Sequence, residues 1–172
     1  MMKKILLFIV LIFACNVSYG ADVNFSLEDS STTSYTNDGS TSGASDLVKD
    51  DDTGTACTFS APAAYSEYNG VIIVDFGQVV SEITTINASS SISRRSGGGS
   101  VSLGYYDGSW HDVFSGSNAV NPTVSGNWSD VSKIRIKVIN YGFGPTGYFS
   151  HSTKELRGIG PVISKGGYSF IL

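Results

Sequence analysis

Residues 49 to 56 read KDDDTGTA. Three consecutive carboxylates, Asp50, Asp51 and Asp52, stand against a Thr-Gly-Thr turn in a 172-residue chain of which 15% is charged. A hard divalent cation such as Ca2+ takes about six to eight oxygen ligands, drawn from carboxylates, hydroxyls and carbonyls. Asp50, Asp52 and Thr55 offer that mixture. The stretch is not an EF-hand, because Gly54 falls at the wrong offset and no bidentate Glu closes a twelve-residue loop. By spacing alone it reads more simply as a solvated acidic turn closed by Thr53 or Thr55.

A second group of residues has the chemistry of sugar recognition, which needs an aromatic surface for the C–H face of a pyranose and a few polar groups to fix its hydroxyls. Tyr65 and Tyr68 lie in PAAYSEYNG, Arg94 and Arg95 in SISRRSGGGS, and Tyr141, Phe143 and Tyr148 in NYGFGPTGY. Each stretch is turn-rich. Neighbouring residues on a strand point to opposite faces, so only one of Arg94 and Arg95 faces a given site. The same aromatics also suit the closing of a sandwich end.

Enzymatic chemistry finds little support. His111, between Trp110 and Asp112, sits in a strand pattern and reads as structural; His151 lies near the third aromatic stretch, within reach of a ligand there. GSTSG carries Thr41 where a nucleophile elbow needs Ser, and SGGGS lacks the Lys of a phosphate loop. Paired carboxylates leave no spacing signature, so the sequence is silent on a general acid and base.

The elements that must position these residues follow a signal-like N-terminus. Lys3 and Lys4 precede the apolar run ILLFIVLIFAC, too short for a helical span, and Ser18-Tyr19-Gly20 suits cleavage before Ala21. This predicts a secreted, periplasmic or cell-surface protein with no transmembrane segment after processing. IFAC also resembles a bacterial lipobox, which would make Cys15 an acylated anchor, although Phe13 stands where that motif has a small residue. Processing removes two of the eleven basic residues, leaving nine against fifteen acidic ones, a net charge of −6. No nucleic-acid partner is implied, since the nearest basic stripe, Lys133-Arg135-Lys137, alternates with Ile134, Ile136 and Val138 as the wet face of a half-buried strand. Cys57 alone remains as a thiol, so stability must come from an apolar core.

Residues 21–43 are rich in Ser, Thr, Asn and Gly and read as a polar arm, either a linker or a first edge strand. Beyond residue 55 the pattern is β throughout. VIIVDFG (71 to 77) is apolar on both faces; SVSLGYY and KIRIKVIN alternate with period two; EITTINA is rich in β-branched residues. Gly-rich turns punctuate them. The expected fold is all-β, an antiparallel β-sandwich of jelly-roll type over residues 44–160, with 161–172 as an extension that could add a strand.

In order along the chain, LVKDDDTGTACTFSA resembles an Asp-Gly-Asp-x-x-Thr-x-Trp loop, NGVIIVDFGQVVSEITTI an apolar-Asp-Leu-Gly strand and turn, and VSLGYYDGSWHDV a Ser-x-Asp-Gly-x-x-Trp-x-x-Val hairpin. VSGNWSDVSKIRIKV and KELRGIG look like closing strands. Together they are similar to the discoidin, or coagulation factor V and VIII type C, domains, which include the family 32 carbohydrate-binding modules. Asp51 stands where that family has Gly, and Cys57 where it has Trp. The resemblance implies a galactose-binding-domain-like sandwich and a structural Ca2+ held by Asp50, Asp52, Thr55 and Glu155. It also implies a non-catalytic site for a glycan or glycoconjugate in end loops, here Arg94, Arg95, Tyr65, Tyr141 and Phe143. That module would serve glycan recognition or adhesion, including to surface proteins; the competing expectation is a structural subunit of an extracellular or surface assembly that joins its neighbours by strand addition through its termini.

Overall fold

The computed structural model describes residues 18–61, 67–94, 98–117, 120–141 and 149–164, and these are almost entirely strand. Nine strands follow in order: β1 (Ser18–Asn24), β2 (Thr32–Asn37), β3 (Ser40–Ser42), β4 (Cys57–Ala61), β5 (Glu67–Arg94), β6 (Gly98–Tyr106), β7 (Trp110–Ser117), β8 (Thr123–Tyr141) and β9 (Phe149–Ser164). Short 3-10 turns at Phe25–Leu27 and Ser45–Val48 join the early strands. All pairings are antiparallel, in the order β3-β4-β9-β5-β8-β6-β7, with β1 added to β9 and β2 to β5. No helix among the described residues is long and apolar enough to cross a membrane.

One long strand ties two layers together. The first half of β5 pairs with β2 and β8; its second half stays on β8 from Val80 to Asn87 and pairs with β9 from Thr85 to Arg94. Between them the register slips from Asp75 to Val80. Gly77 sits in this slip at φ +68°, and a Cβ there would stand 2.5 Å from the Ser30 carbonyl oxygen, so both conformation and space require glycine. The sequence pattern reads VIIVDFG and EITTINA as separate strands; the structure carries both on β5 and turns the corner at the glycine.

The inner rows explain the alternation. Ile72, Val74 and Phe76 from β5, Ile134, Ile136 and Val138 from β8, and Val101 and Leu103 from β6 are buried from one layer. Phe59, Phe149 and Leu156 of β4 and β9 meet them from the other. A Cβ on Gly158 of β9 would lie 2.7 Å from the Phe76 ring, so the two layers approach as closely there as side chains permit. Each such buried Ile, Leu or Phe contributes about 1.5–3 kcal/mol. Cys57 is fully buried in this core as a free thiol.

The segment read as a polar arm is woven into the sheet. Thr32 to Asn37 pair with Asp75 to Gly70, and Asp22 to Asn24 with Pro161 to Ile159. Its backbone is therefore hydrogen-bonded within its own chain.

Candidate functional site

Six strand termini gather at one end of the sandwich. Ala61 of β4 pairs with Phe149 of β9, which pairs with Arg94 of β5. In the other layer Glu67 of β5 pairs with Tyr141 of β8, which pairs with Gly98 of β6. The backbones of Arg94 and Tyr141 are placed there as strand termini. Tyr65, Arg95, Phe143 and Tyr148 lie outside the described residues, as do the side chains of Arg94 and Tyr141.

Two further candidates are corrected by burial. Tyr68 is fully buried, its ring 5.3 Å from that of Phe149 and 6.4 Å from that of Phe59. It closes the core beneath the loop end and presents no free face to a ligand. His151 is also fully buried, between Phe59 and Ile92 in register. Burial pushes its imidazole down to about 4, so the ring is neutral near pH 7. Turn-rich surroundings had suggested exposure for both, but the strands extend further toward the loops than the turn residues indicate.

His111 has companions of the types found in a catalytic triad. Ser109 Oγ and Asp107 Oδ1 stand 3.0 and 2.9 Å away, yet both contact the same ring nitrogen, Nε2. A relay needs the base and its orienting carboxylate on different nitrogens. The cluster braces the β6–β7 hairpin, with the imidazole stacked at 4.8 Å on Tyr105.

The acidic stretch folds as a tight loop after the Ser45–Val48 turn. Asp50 Oδ1 accepts from the Asp52 amide and Asp52 Oδ1 from the Gly54 amide, while the Thr55 hydroxyl reaches Asp50 Oδ2 at 2.7 Å and the Asp52 carbonyl at 2.9 Å. Asp51 adopts φ 58°, the left-handed conformation that favours glycine. Here the added carboxylate is used: Asp51 Oδ1 accepts from Arg157 Nη2 at 2.5 Å, and Arg157 Nε donates to Glu155 Oε2 at 3.2 Å.

Glu155 is therefore brought to the acidic loop, through an arginine that the sequence reading did not single out. Only its place two residues after Glu155 on one strand hinted at it. Glu155 is 1% exposed and its Oε1 has no hydrogen-bond partner. Burial pushes its carboxyl up, the Arg157 guanidinium opposes, and the charges of Asp51 and Asp50 push it up further. A buried carboxylate oxygen lacking a partner, beside excess negative charge, fits a cation. Among the described residues no three His, Cys, Asp or Glu side chains form a metal set. A cation here would draw on Asp50, Asp52, Thr55 and Glu155 together with backbone carbonyls, in exchange for some of the hydrogen bonds by which both aspartates and the threonine close the turn.

No protein-family model matches the chain, and no curated protein does. Solved structures do. A Ruminococcus gnavus GH29 fucosidase in complex with fucose aligns at TM-score 0.58 and 12% identity over 81% of this chain. That alignment uses 27% of the fucosidase, so the chain spans about a quarter of its length. The family 32 module of Clostridium perfringens NanJ, in complex with galactose, aligns at TM-score 0.52 and 16% identity, over 81% of this chain and 99% of the module. A chitosan-binding module from a Paenibacillus chitosanase/glucanase aligns at 0.53 and 12%, over 80% and 99%. The fold is thus the galactose-binding-like β-sandwich of family 32 carbohydrate-binding modules.

Proposed function

We propose that this chain is an exported, non-catalytic module that recognises a glycan at the end of the sandwich bounded by Ala61, Glu67, Arg94, Gly98, Tyr141 and Phe149, with a structural Ca2+ at the acidic loop. The observation that carries the reading is the gathering of Ala61, Glu67, Arg94, Gly98, Tyr141 and Phe149 along one edge. Arg94 and Tyr141 are two of those strand termini, and Tyr65, Arg95 and Phe143 fall in sequence between them. Matching modules of the same fold, solved with galactose or named for chitosan binding, support the ligand class. The calcium proposal rests on the unpartnered Glu155 oxygen and the mixed oxygen set of Asp50, Asp52 and Thr55. Export rests on the signal-like N-terminus. The assembly alternative is weakened because residues 22–24 and 32–37 already pair within the chain.

NMR titration of the chain with galactose and N-acetylglucosamine tests the site. A millimolar site has about 4.1 kcal/mol in total, and one hydrogen bond to a charged group is worth about 1.5–3 kcal/mol. Arg94→Ala or Arg95→Ala, together with Phe143→Ala, should therefore reduce affinity at least about tenfold, while Lys154→Ala on β9 leaves it unchanged. Retained affinity in all of these variants would place the site elsewhere.

A further inference from the structure

The register assembles a second set of sugar-binding groups away from the loop end. Thr32 of β2 pairs with Asp75 of β5, Asp75 with Lys133 of β8, Lys133 with Tyr106 of β6, and Tyr106 with Trp110 of β7. Five strands thus contribute one row to the outer face of a layer. Ser34 and Ile73 stand in the next row, two residues along. These side chains line a cavity of about 350 Å3, within the usual range for small-ligand sites, about 300–1,000 Å3.

The groups are arranged for a polyhydroxyl. Lys133 Nζ lies 2.7 Å from Asp75 Oδ2, with both side chains about one-third exposed. A pair so exposed contributes little to stability. It does leave ammonium donors and carboxylate lone pairs facing the cavity. The charges balance, so neither an anion nor a cation is favoured, whereas a vicinal diol can accept from Lys133 and donate to Asp75 together. Across the row Tyr106 and Trp110 form an aromatic wall, their centroids 5.4 Å apart. Trp110 is held in place: the Arg135 guanidinium lies 4.3 Å from its ring centroid and is itself anchored 2.9 Å from Asp112 Oδ1. Gly104 keeps this lattice open, since a Cβ there would stand 3.0 Å from Asp112 Oδ1 and 3.2 Å from Arg135 Nε.

We infer that this outer-face cavity is a second binding site, taking one neutral hexopyranose of a glycan with its C–H face on Tyr106 and Trp110 and a vicinal diol on Asp75 and Lys133. The site does not depend on the loop end. Lys133 and Tyr106 lie at the far end of the β6–β8 pairing from Gly98 and Tyr141, so a glycan chain held at both sites would run along the sandwich.

The test is an NMR titration of the full chain with the methyl glycosides of galactose, glucose and mannose. It follows the Trp110 indole N–H and the amides of Tyr106 and Lys133 separately from those of Arg94, Gly98 and Tyr141. The expected result is a saturable shift at the outer face with at least one sugar. Trp110→Ala and Asp75→Asn should weaken it at least about tenfold, and Phe143→Ala should leave it unchanged. Asn at position 75 keeps the acceptor that binds the Gly77 amide, so this variant remains folded even where Trp110→Ala does not. Shifts confined to the loop end would overturn this site and leave the proposed function standing. Shifts confined to the outer face would do the reverse. Silence at the outer face with all three sugars, or tighter binding there of methyl galacturonide than of its neutral parent, overturns the inference.

Discussion

Strands β8 and β9 flank β5 in the main strand order, and they meet the same core with different chemistry. The inward row of β8 is Val131, Ile134, Ile136 and Val138, all buried, with Asn140 as its polar exception at the loop end. The inward row of β9 mixes Phe149 and Leu156 with buried His151 and Thr153, while Glu155, set opposite Ser89 by a register shift, is buried on the other face beside Arg157. Burial of the first row is favourable along most of its length. β9 carries more desolvated groups: His151 Nε2 and Glu155 Oε1 have no partner, while on the inward row of β8 the unpartnered atoms are confined to the Asn140 amide. Such atoms cost about 1–3 kcal/mol each when left unpaired. One strand therefore holds the fold together, and the other tolerates polar burial beside the places where ligand and cation are proposed.

Truncating the two rows should expose that asymmetry most strongly. Ile136, fully buried between Ile72 and Leu103 in register, leaves a cavity when cut to alanine, which costs about 2–5 kcal/mol. Thr153→Val on β9 removes one weak contact to His151, at 3.4 Å, and should cost about 0.5–1.5 kcal/mol. Urea unfolding at pH 7 compares them. Equal losses would mean that β9 packs as tightly as β8 and that the contrast is one of residue names only.

Acid separates the strands further. His151 is held at about 4 in the folded state against an ordinary 6.5, so the unfolded chain binds a proton first as pH falls. The stability from its neutral burial is complete above pH 6.5 and is lost as pH drops toward 4, by about 3 kcal/mol over the window. His151→Leu should flatten the decline in melting temperature between pH 7 and pH 4.5. An unchanged pH profile would show that the imidazole is hydrated in solution.

The same contrast governs what the sequence discloses. In KIRIKV the alternation of basic and apolar residues identifies the inner and outer faces of β8, and the structure agrees up to Val138, with Asn140 the exception beyond it. In FSHSTKELRG the inward positions mix Phe149 and Leu156 with His151 and Thr153 and a register shift breaks the period, so His151 reads as a ligand contact instead of a core residue. Asp51 is a related case: only its left-handed φ and its bond to Arg157 make sense of a carboxylate at a glycine position. The outer-face cavity was least legible of all. Lys133 reads as a solvated strand residue until the register sets Asp75, Tyr106 and Trp110 beside it, and those partners are 58, 27 and 23 positions away in sequence. Long-range register leaves no local trace.

The smallest effect concerns the cation proposed for β9. Without one, the raised Glu155 carboxyl means that the folded state holds its proton more tightly than the unfolded chain does. Its contribution is therefore complete below the unfolded carboxylate range and lost as pH rises through the folded value. A bound Ca2+ favours the ionised form and reverses that loss, so its effect should be seen at neutral pH and fade in acid. Extracellular modules bind Ca2+ with Kd of about 10⁻⁴–10⁻³ M, so a tenfold excess over Kd stabilises by about 1.4 kcal/mol. For a domain of this size that raises the melting temperature by about 3–6 °C. Glu155→Gln should keep the shape, remove the buried charge and abolish the calcium response, while being no less stable than the parent in chelator. Asp51→Gly should keep the response, because the backbone conformation suits glycine and only the Arg157 pair is lost. Identical melting of the parent in calcium and in chelator at pH 7 would instead make Arg157 the sole cation of the loop, and the buried Glu155 oxygen would then be a cost that β9 carries without compensation.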